Sequence, residues 1–249
     1  MKGIFYGVGV GPGDPHLLTL KAVNTIKECE VLAIAVADLD FQMPAYEPAG
    51  TIRLFPELLN NCVAYRIVLP VIPEIADKAK LYLPMPMIKD KEVLKKIHDA
   101  CAEKTAQKLM EGKNVAFITL GDPSVYSTCL YVHKRLTALG IETQLIPGIP
   151  SFCAAAARLN IGLVENKEEL HVIPASYEIE EGLAMPGTKV LMKAGKKMAY
   201  VKQTVKEQGL QIKMVENCGM DTERIYHHVD EIPEDAGYYS LLIVKEENE

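Results

Sequence analysis

Two titratable side chains flank a sharp turn near the middle of the chain. They are Asp122 and Tyr126, in the stretch Val115-Ala-Phe-Ile-Thr-Leu-Gly-Asp-Pro-Ser-Val-Tyr-Ser-Thr128. Either could move a proton, and each has a plainer reading, as a helix cap and as a packed ring. The residue types predict a buried strand from Val115 to Leu120, a turn at Gly121-Asp122 and a helix starting at Pro123. Asp122 suits the N-cap, and Pro123 the first helical position, where a missing N–H costs nothing. A strand that ends in glycine and enters a capped helix offers backbone N–H groups to a small ligand. The pattern has an echo upstream. Gly3–Val10 predicts a strand, Gly11-Pro-Gly-Asp-Pro15 a turn, and Asp14 the cap of a second helix opened by Pro15.

The glycines of the first turn narrow the ligand. Gly7, Gly9, Gly11 and Gly13 are spaced by two, whereas a dinucleotide fingerprint needs glycine at position 12 or 14, which hold Pro12 and Asp14. An aspartate at the turn repels a pyrophosphate, and no Gly-Lys-Ser/Thr follows. The second strand also lacks an acidic residue at its end: Val36-Ala37 closes it, with Asp38 just beyond. A nucleotide-dependent oxidoreductase is therefore the weaker reading. The loop suits close backbone approach to something other than phosphate.

Metal chemistry finds little support. The six cysteines are scattered, and none forms a C-x-x-C pair. Cys129 and His133 lie one helical turn apart and could share a metal, but two such residues on a mostly apolar helix are more often packing; we expect no metal. His227-His228 reads as surface. Cations that could meet an anionic ligand are Arg66, Lys89, Arg135, Arg158 and the Lys193–Lys197 cluster.

These groups need a scaffold. Glu30–Val36 predicts a second buried strand, and residues 37–56 a loop-rich segment. Val63–Leu69 predicts a helix, Lys80–Leu83 a strand, and Lys91 to Gly112 an amphipathic helix with Val93, Leu94, Ile97, Cys101, Ala102, Thr105 and Leu109 inward. Ile141–Ile146 is a further strand, and Ser151 caps a helix through Arg158. Later strands fall at His171–Pro174, Thr188–Lys193, Ile212–Asn217 and Tyr239–Lys245, with a helix at Met198–Gln208. The reading is α/β: a parallel-sheet N-terminal domain over 1–125 and a mixed-sheet C-terminal domain over 126–249, the boundary set to within about 25 residues.

The chain has 249 residues, 49% apolar and 24% charged, with a net charge of −6. That composition fits a globular protein and argues against a broad basic face for nucleic acid. No apolar run approaches the roughly 20 residues that span a bilayer. Gly, Pro and Asp break the apolar start, so no signal peptide is expected, and the cysteines read as reduced thiols in the cytoplasm.

Four motifs stand in order: Val8-Gly-Val-Gly-Pro-Gly-Asp-Pro15 with Leu18-Thr-Leu-Lys-Ala22, then Gly121-Asp-Pro-Ser-Val-Tyr126, Ile146-Pro-Gly-Ile149 and Val190-Leu-Met-Lys193. Together they resemble the tetrapyrrole (corrin/porphyrin) methyltransferases over nearly the whole chain. Leu83-Pro-Met-Pro-Met87, Gly121–Thr128 and Ser151–Leu159 are most similar to the branch acting on C-20 of precorrin-2 or cobalt-factor II in cobalamin biosynthesis, rather than to diphthine synthase on the same scaffold. The resemblance implies S-adenosyl-L-methionine as cofactor, S-adenosyl-L-homocysteine as product, two α/β domains with the active site in the cleft between them, and a homodimer. It implies cofactor contacts from Val10, Pro12, Gly121, Asp122, Val125, Pro150, Ser151, Met192, Lys193 and Gly219. Pro150 departs from the threonine common in relatives, which removes a hydroxyl contact. Arg66, Lys89 and Arg158 are candidates for the substrate's carboxylates, and Tyr126 and Asp122 for proton transfer. A non-catalytic tetrapyrrole-binding protein is the alternative from another class.

Overall fold

The computed structural model describes residues 2–174 and 179–246. Two compact units divide the chain, Met1–Pro150 and Ser151–Glu249.

Unit 1 is built on strands β1 (Phe5–Gly9), β2 (Val31–Val36), β3 (Ala45–Glu47), β4 (Ala79–Pro84), β5 (Val115–Thr119) and β6 (Thr143–Ile146). They form one sheet in the order β3-β4-β2-β5-β1-β6. The central sequences Val-Leu-Ala-Ile-Ala-Val and Val-Ala-Phe-Ile-Thr are continuous apolar runs, as strands covered on both faces require. All neighbours pair in parallel except β3, which runs antiparallel to β4. The expected purely parallel sheet thus carries an antiparallel edge. The segment between β2 and β3 has no crossover helix, and parallel pairing needs one.

Helices cover both faces. Helices α1 (Leu20–Glu28), α2 (Pro56–Asn61) and α3 (Val63–Val68) lie on one, where Val8, Leu32, Ile34, Ala116 and Ile118 pack against Ile26, Leu59 and Ile67. On the other, α4 (Lys91–Met110) and α5 (Cys129–Ala138) bury Ile97, Cys101, Leu109 and Val132 against Phe5, Ala33, Leu81, Val115 and Phe117. Alternate residues of each strand serve opposite cores, the period-two rule at work. Val93 of α4, expected inward, is 39% exposed, while His98 is buried and stacks on Tyr131.

Unit 2 contains α6 (Ser151–Leu159), β7 (Leu170–Pro174), α7 (Glu180–Leu183), β8 (Thr188–Met192), α8 (Met198–Gln208), β9 (Gln211–Glu216), β10 (Arg224–Tyr226) and β11 (Ser240–Lys245). Its sheet order is β10-β9-β11-β8-β7, with β7 and β8 parallel and the other pairs antiparallel. The mixed sheet expected for the C-terminal half is present. Leu191, Val201, Met214 and Leu242 centre its core.

The division at 150/151 lies 25 residues beyond the expected 125/126. The cause is β6, which pairs residue for residue with β1 from Phe5↔Thr143 to Val8↔Ile146 and so belongs to the first sheet. No helix among the described residues is long and apolar enough to cross a membrane.

Burial pushes the Cys29 and Cys101 thiols up to about 12 and Cys129 up to about 11, from an ordinary 9.0. Between these values the unfolded chain has lost protons that the native thiols keep, so their stabilisation is present below pH 9 and is lost as pH rises. Buried Lys80, pushed down to about 8 by desolvation, acts in the opposite sense between its folded value and 10.5, and the raised thiols outnumber it. The urea midpoint is expected to fall from pH 9 to pH 11, and less steeply when Cys29, Cys101 and Cys129 are all replaced by alanine; equal slopes would contradict this assignment.

Candidate functional site

In a parallel sheet, all the strands end on one edge. At that edge of unit 1 three neighbours, β1, β5 and β6, run into turns at residues 10–14, 120–128 and 147–150. Val10 N donates to Thr119 O at 3.0 Å, which extends the pairing past the strands. Gly11 and Gly121 then exchange two hydrogen bonds, 3.2 Å from Gly11 N and 2.8 Å from Gly121 N. Both have positive φ, at 77° and 70°, a conformation that a side chain would strain. The β6 turn is tighter still. A Cβ on Gly148 would stand 2.2 Å from Gly121 O, and one on Gly9 would stand 2.7 Å from Gly148 N. Only hydrogens fit there.

Asp122 is not the cap of a helix from Pro123. Its Oδ1 accepts from Ser124 N at 2.8 Å and from Ser124 Oγ at 2.5 Å, and its Oδ2 accepts from Gly148 N at 3.0 Å. The carboxylate closes its own turn and ties the β5 turn to the β6 turn. The α-helix starts only at Cys129, because Tyr126 has φ 48° and a left-handed residue interrupts a right-handed helix. Ser127 Oγ lies 2.9 Å from Thr119 Oγ1 and accepts from Cys129 N at 3.2 Å, so a serine five residues beyond Asp122 receives the first amide of the helix. Upstream, Asp14 caps only the short 3-10 turn Pro15–Leu17, accepting from His16 N at 2.8 Å. Leu18 returns to extended backbone, and α1 begins at Leu20 with Thr19 as its N-cap.

The sequence-predicted residues of unit 1 fall into two groups. Val10, Pro12, Gly121, Asp122, Val125, Tyr126 and Pro150 all lie on the three neighbouring turns. Val10, Pro12 and Gly121 are buried, Asp122, Val125 and Pro150 half-buried, and Tyr126 is 51% exposed. Arg66 is exposed on α3 and Lys89 in the β4–α4 loop. Arg135 is committed to Asp99 at 2.7 Å on the α4–α5 surface. Cys129 and His133 do not converge: the thiol packs over Gly7, and His133 Nε2 lies 3.2 Å from Thr143 Oγ1. Among the described residues no three potential metal ligands cluster.

In unit 2, Ser151 is the first residue of α6 and Met192 the last of β8. Lys193 has φ 62°, donates its N–H to Ser240 O at 3.3 Å, and holds its Nζ 5.2 Å from the Tyr238 ring centroid. The left-handed residue ends β8 and turns the chain. Gly219, with φ 76°, donates its N–H to Glu223 Oε2 at 2.7 Å. Glu223 also receives the Arg158 guanidinium, with Nε 2.8 Å from Oε1. Burial pushes the Glu223 carboxyl up, but Arg158 and the Gly219 amide outweigh it and hold the group below its ordinary value. Arg158, predicted to meet a substrate carboxylate, is thus engaged by a carboxylate of its own unit. A cavity of about 530 Å³ bounded by Glu165, Lys167, Gly187 and Lys245 contains none of the predicted residues.

The three turns carry bare backbone, apolar side chains, two aspartates and the hydroxyls of Ser124, Tyr126, Ser127 and Thr128, with no basic residue on the turns themselves. That donor set suits a ligand with cationic centres and no phosphate.

The sequence pattern of the Tetrapyrrole (Corrin/Porphyrin) Methylases matches residues 5–232, and the chain belongs to this family of methyltransferases. It is 34% identical over 247 residues to the probable cobalt-precorrin-2 C(20)-methyltransferase of Methanocaldococcus jannaschii, covering 96% of this chain and 95% of that one. Identity to the precorrin-2 C(20)-methyltransferase of a Sinorhizobium species is 29%, over 97% and 95%. Among solved structures, the uroporphyrin-III C-methyltransferase of Thermus thermophilus complexed with S-adenosyl homocysteine superposes with a TM-score of 0.67 at 20% identity, covering 98% of both chains. That likeness carries the fold.

Glu223 accepts from the Gly219 amide and from the Arg158 guanidinium, so Glu223→Ala removes both contacts. We expect a loss of about 1–3 kcal/mol in stability, read by urea unfolding. No change would mean that the contact is dispensable.

Proposed function

We propose that the protein is an S-adenosyl-L-methionine-dependent methyltransferase acting on the C-20 meso carbon of precorrin-2, metal-free or as cobalt-factor II, in cobalamin biosynthesis. The observation that carries this reading is the match, over nearly the full length of both chains, to relatives named for that reaction. The edge at Gly11, Gly121 and Gly148 supports it, since its composition suits a sulfonium cofactor and opposes a pyrophosphate.

The cofactor supplies an activated methyl group on sulfur. The chain's task is to hold acceptor carbon and methyl in line, and positioning of that kind is worth roughly 7–11 kcal/mol of a barrier. A meso carbon of a reduced tetrapyrrole is already electron-rich, so no strong base is required. In unit 1 the reading assigns cofactor contacts to Val10, Pro12, Gly121, Val125 and Pro150. In unit 2 it assigns them to Ser151, Met192, Lys193 and Gly219. Lys89 and Arg66 are the cations left for substrate carboxylates. Tyr126 and Asp122 are the candidates for moving the ring proton, with Asp122 already accepting hydrogen bonds on both oxygens. The enzyme acts in the cytoplasm, as a homodimer.

The test is an anaerobic assay that offers precorrin-2 and its cobalt form side by side, with the new methyl located by NMR. Methylation at C-20 of one form is expected. Methylation at another ring position would refute the branch while leaving the family intact, and pigment binding without release of S-adenosyl-L-homocysteine would favour a non-catalytic carrier.

A further inference from the structure

The peptide group between Pro147 and Gly148 is held at both of its ends. Its N–H donates to Asp122 Oδ2 at 3.0 Å, and its C=O accepts from Thr19 Oγ1 at 3.3 Å. The two side chains come from different turns, Asp122 from the one after β5 and Thr19 from the start of α1. Thr19 uses its hydroxyl fully: the oxygen accepts from Ala22 N at 3.1 Å as helix cap, and the proton goes to Pro147. A peptide that precedes glycine can flip at low cost, since no Cβ opposes the reversal of its N–H and C=O. Here the flip would break two bonds at once. It would also take from Asp122 Oδ2 its only hydrogen-bond donor among the described contacts.

We propose that Thr19 and Asp122 are positioning residues that fix the plane of the Pro147–Gly148 peptide and thereby the shape of the β6 turn that the cofactor meets. The assignment rests on the functional reading above. Neither side chain needs to touch the ligand. Asp122 acts through the Gly148 amide, and Thr19 through the Pro147 carbonyl. The turn leads in two residues to Pro150 and the start of α6, so its geometry is set just before the chain leaves unit 1.

The experiment pairs Thr19→Val, which removes the hydroxyl, with Thr19→Ser, which keeps it, and adds Asp122→Asn and the double variant. Hydrogen exchange of the Gly148 amide reads the peptide directly, without cofactor. Calorimetric titration with S-adenosyl-L-homocysteine reads the consequence. Each single loss is expected to speed Gly148 exchange and to weaken binding roughly tenfold, with Thr19→Ser close to wild type. The double variant should fall well short of a hundredfold, because both bonds hold one peptide and its release is lost only once. Additive losses, or affinity unchanged while Gly148 exchange rises, would overturn the proposal. A wild-type protein that does not bind S-adenosyl-L-homocysteine would instead refute the functional reading, and the exchange data would still judge the lock. If Thr19→Val proves too unstable, Asp122→Asn and Thr19→Ser carry the comparison.

Discussion

The contact on which the rest of this molecule depends is the meeting of backbones at the ends of β1, β5 and β6. Gly9, Gly121 and Gly148 approach so closely that a single methyl group on Gly148 would stand 2.2 Å from a carbonyl oxygen. The approach joins three parallel strands beyond their ladders. It also brings bare peptide groups to the edge, among two aspartates, the hydroxyls of the β5 turn and a few apolar residues. The sheet supplies rigidity: β5 is wholly buried between its neighbours, and helices cover both faces. Phosphate sites on α/β folds combine glycine turns with a helix N-terminus and a basic side chain, whereas here Asp14 and Asp122 occupy the turns.

Sequence reasoning reached the scaffold well where residue type and burial agree. The apolar runs at 30–36 and 115–120 became β2 and β5, the amphipathic pattern from Lys91 became α4, and Met198–Gln208 became α8 with its stated bounds. It failed at the two Asp-Pro steps. Asp before Pro is a strong local signal for a helix start. Tertiary contacts overrode it, since Asp122 finds the amide of Gly148 in another turn, and Leu18 must extend so that Thr19 can reach Pro147. A bond across 26 or 128 residues leaves no trace in local spacing. The short strands β3 and β10, three residues each, lack a period long enough to read. The boundary between the halves can be set from sequence only to within about 25 residues, because the pairing of β6 with β1 is non-local as well.

The candidate site divides in the same way. Its members on the three turns were legible because glycine, proline and aspartate mark turns by their own stereochemistry. The roles of the charged residues were not. Arg158 could be named as a cation but not as the partner of Glu223, and Asp122 could be named as polar but not as the acceptor of the Gly148 amide. Charge is written in the sequence, while the partner that uses it belongs to the fold.

The most direct measurement of the central claim, that glycine-only contact shapes the cofactor surface, is a titration of S-adenosyl-L-homocysteine into Gly148→Ala beside the wild type, with circular dichroism as the control for folding. The added methyl has no space against Gly121 O and Gly9, so the turn must move. Binding to the wild type and a loss of about a hundredfold or more in the folded variant is the predicted result, which corresponds to roughly 2.8 kcal/mol. Equal affinity for both proteins would contradict the account.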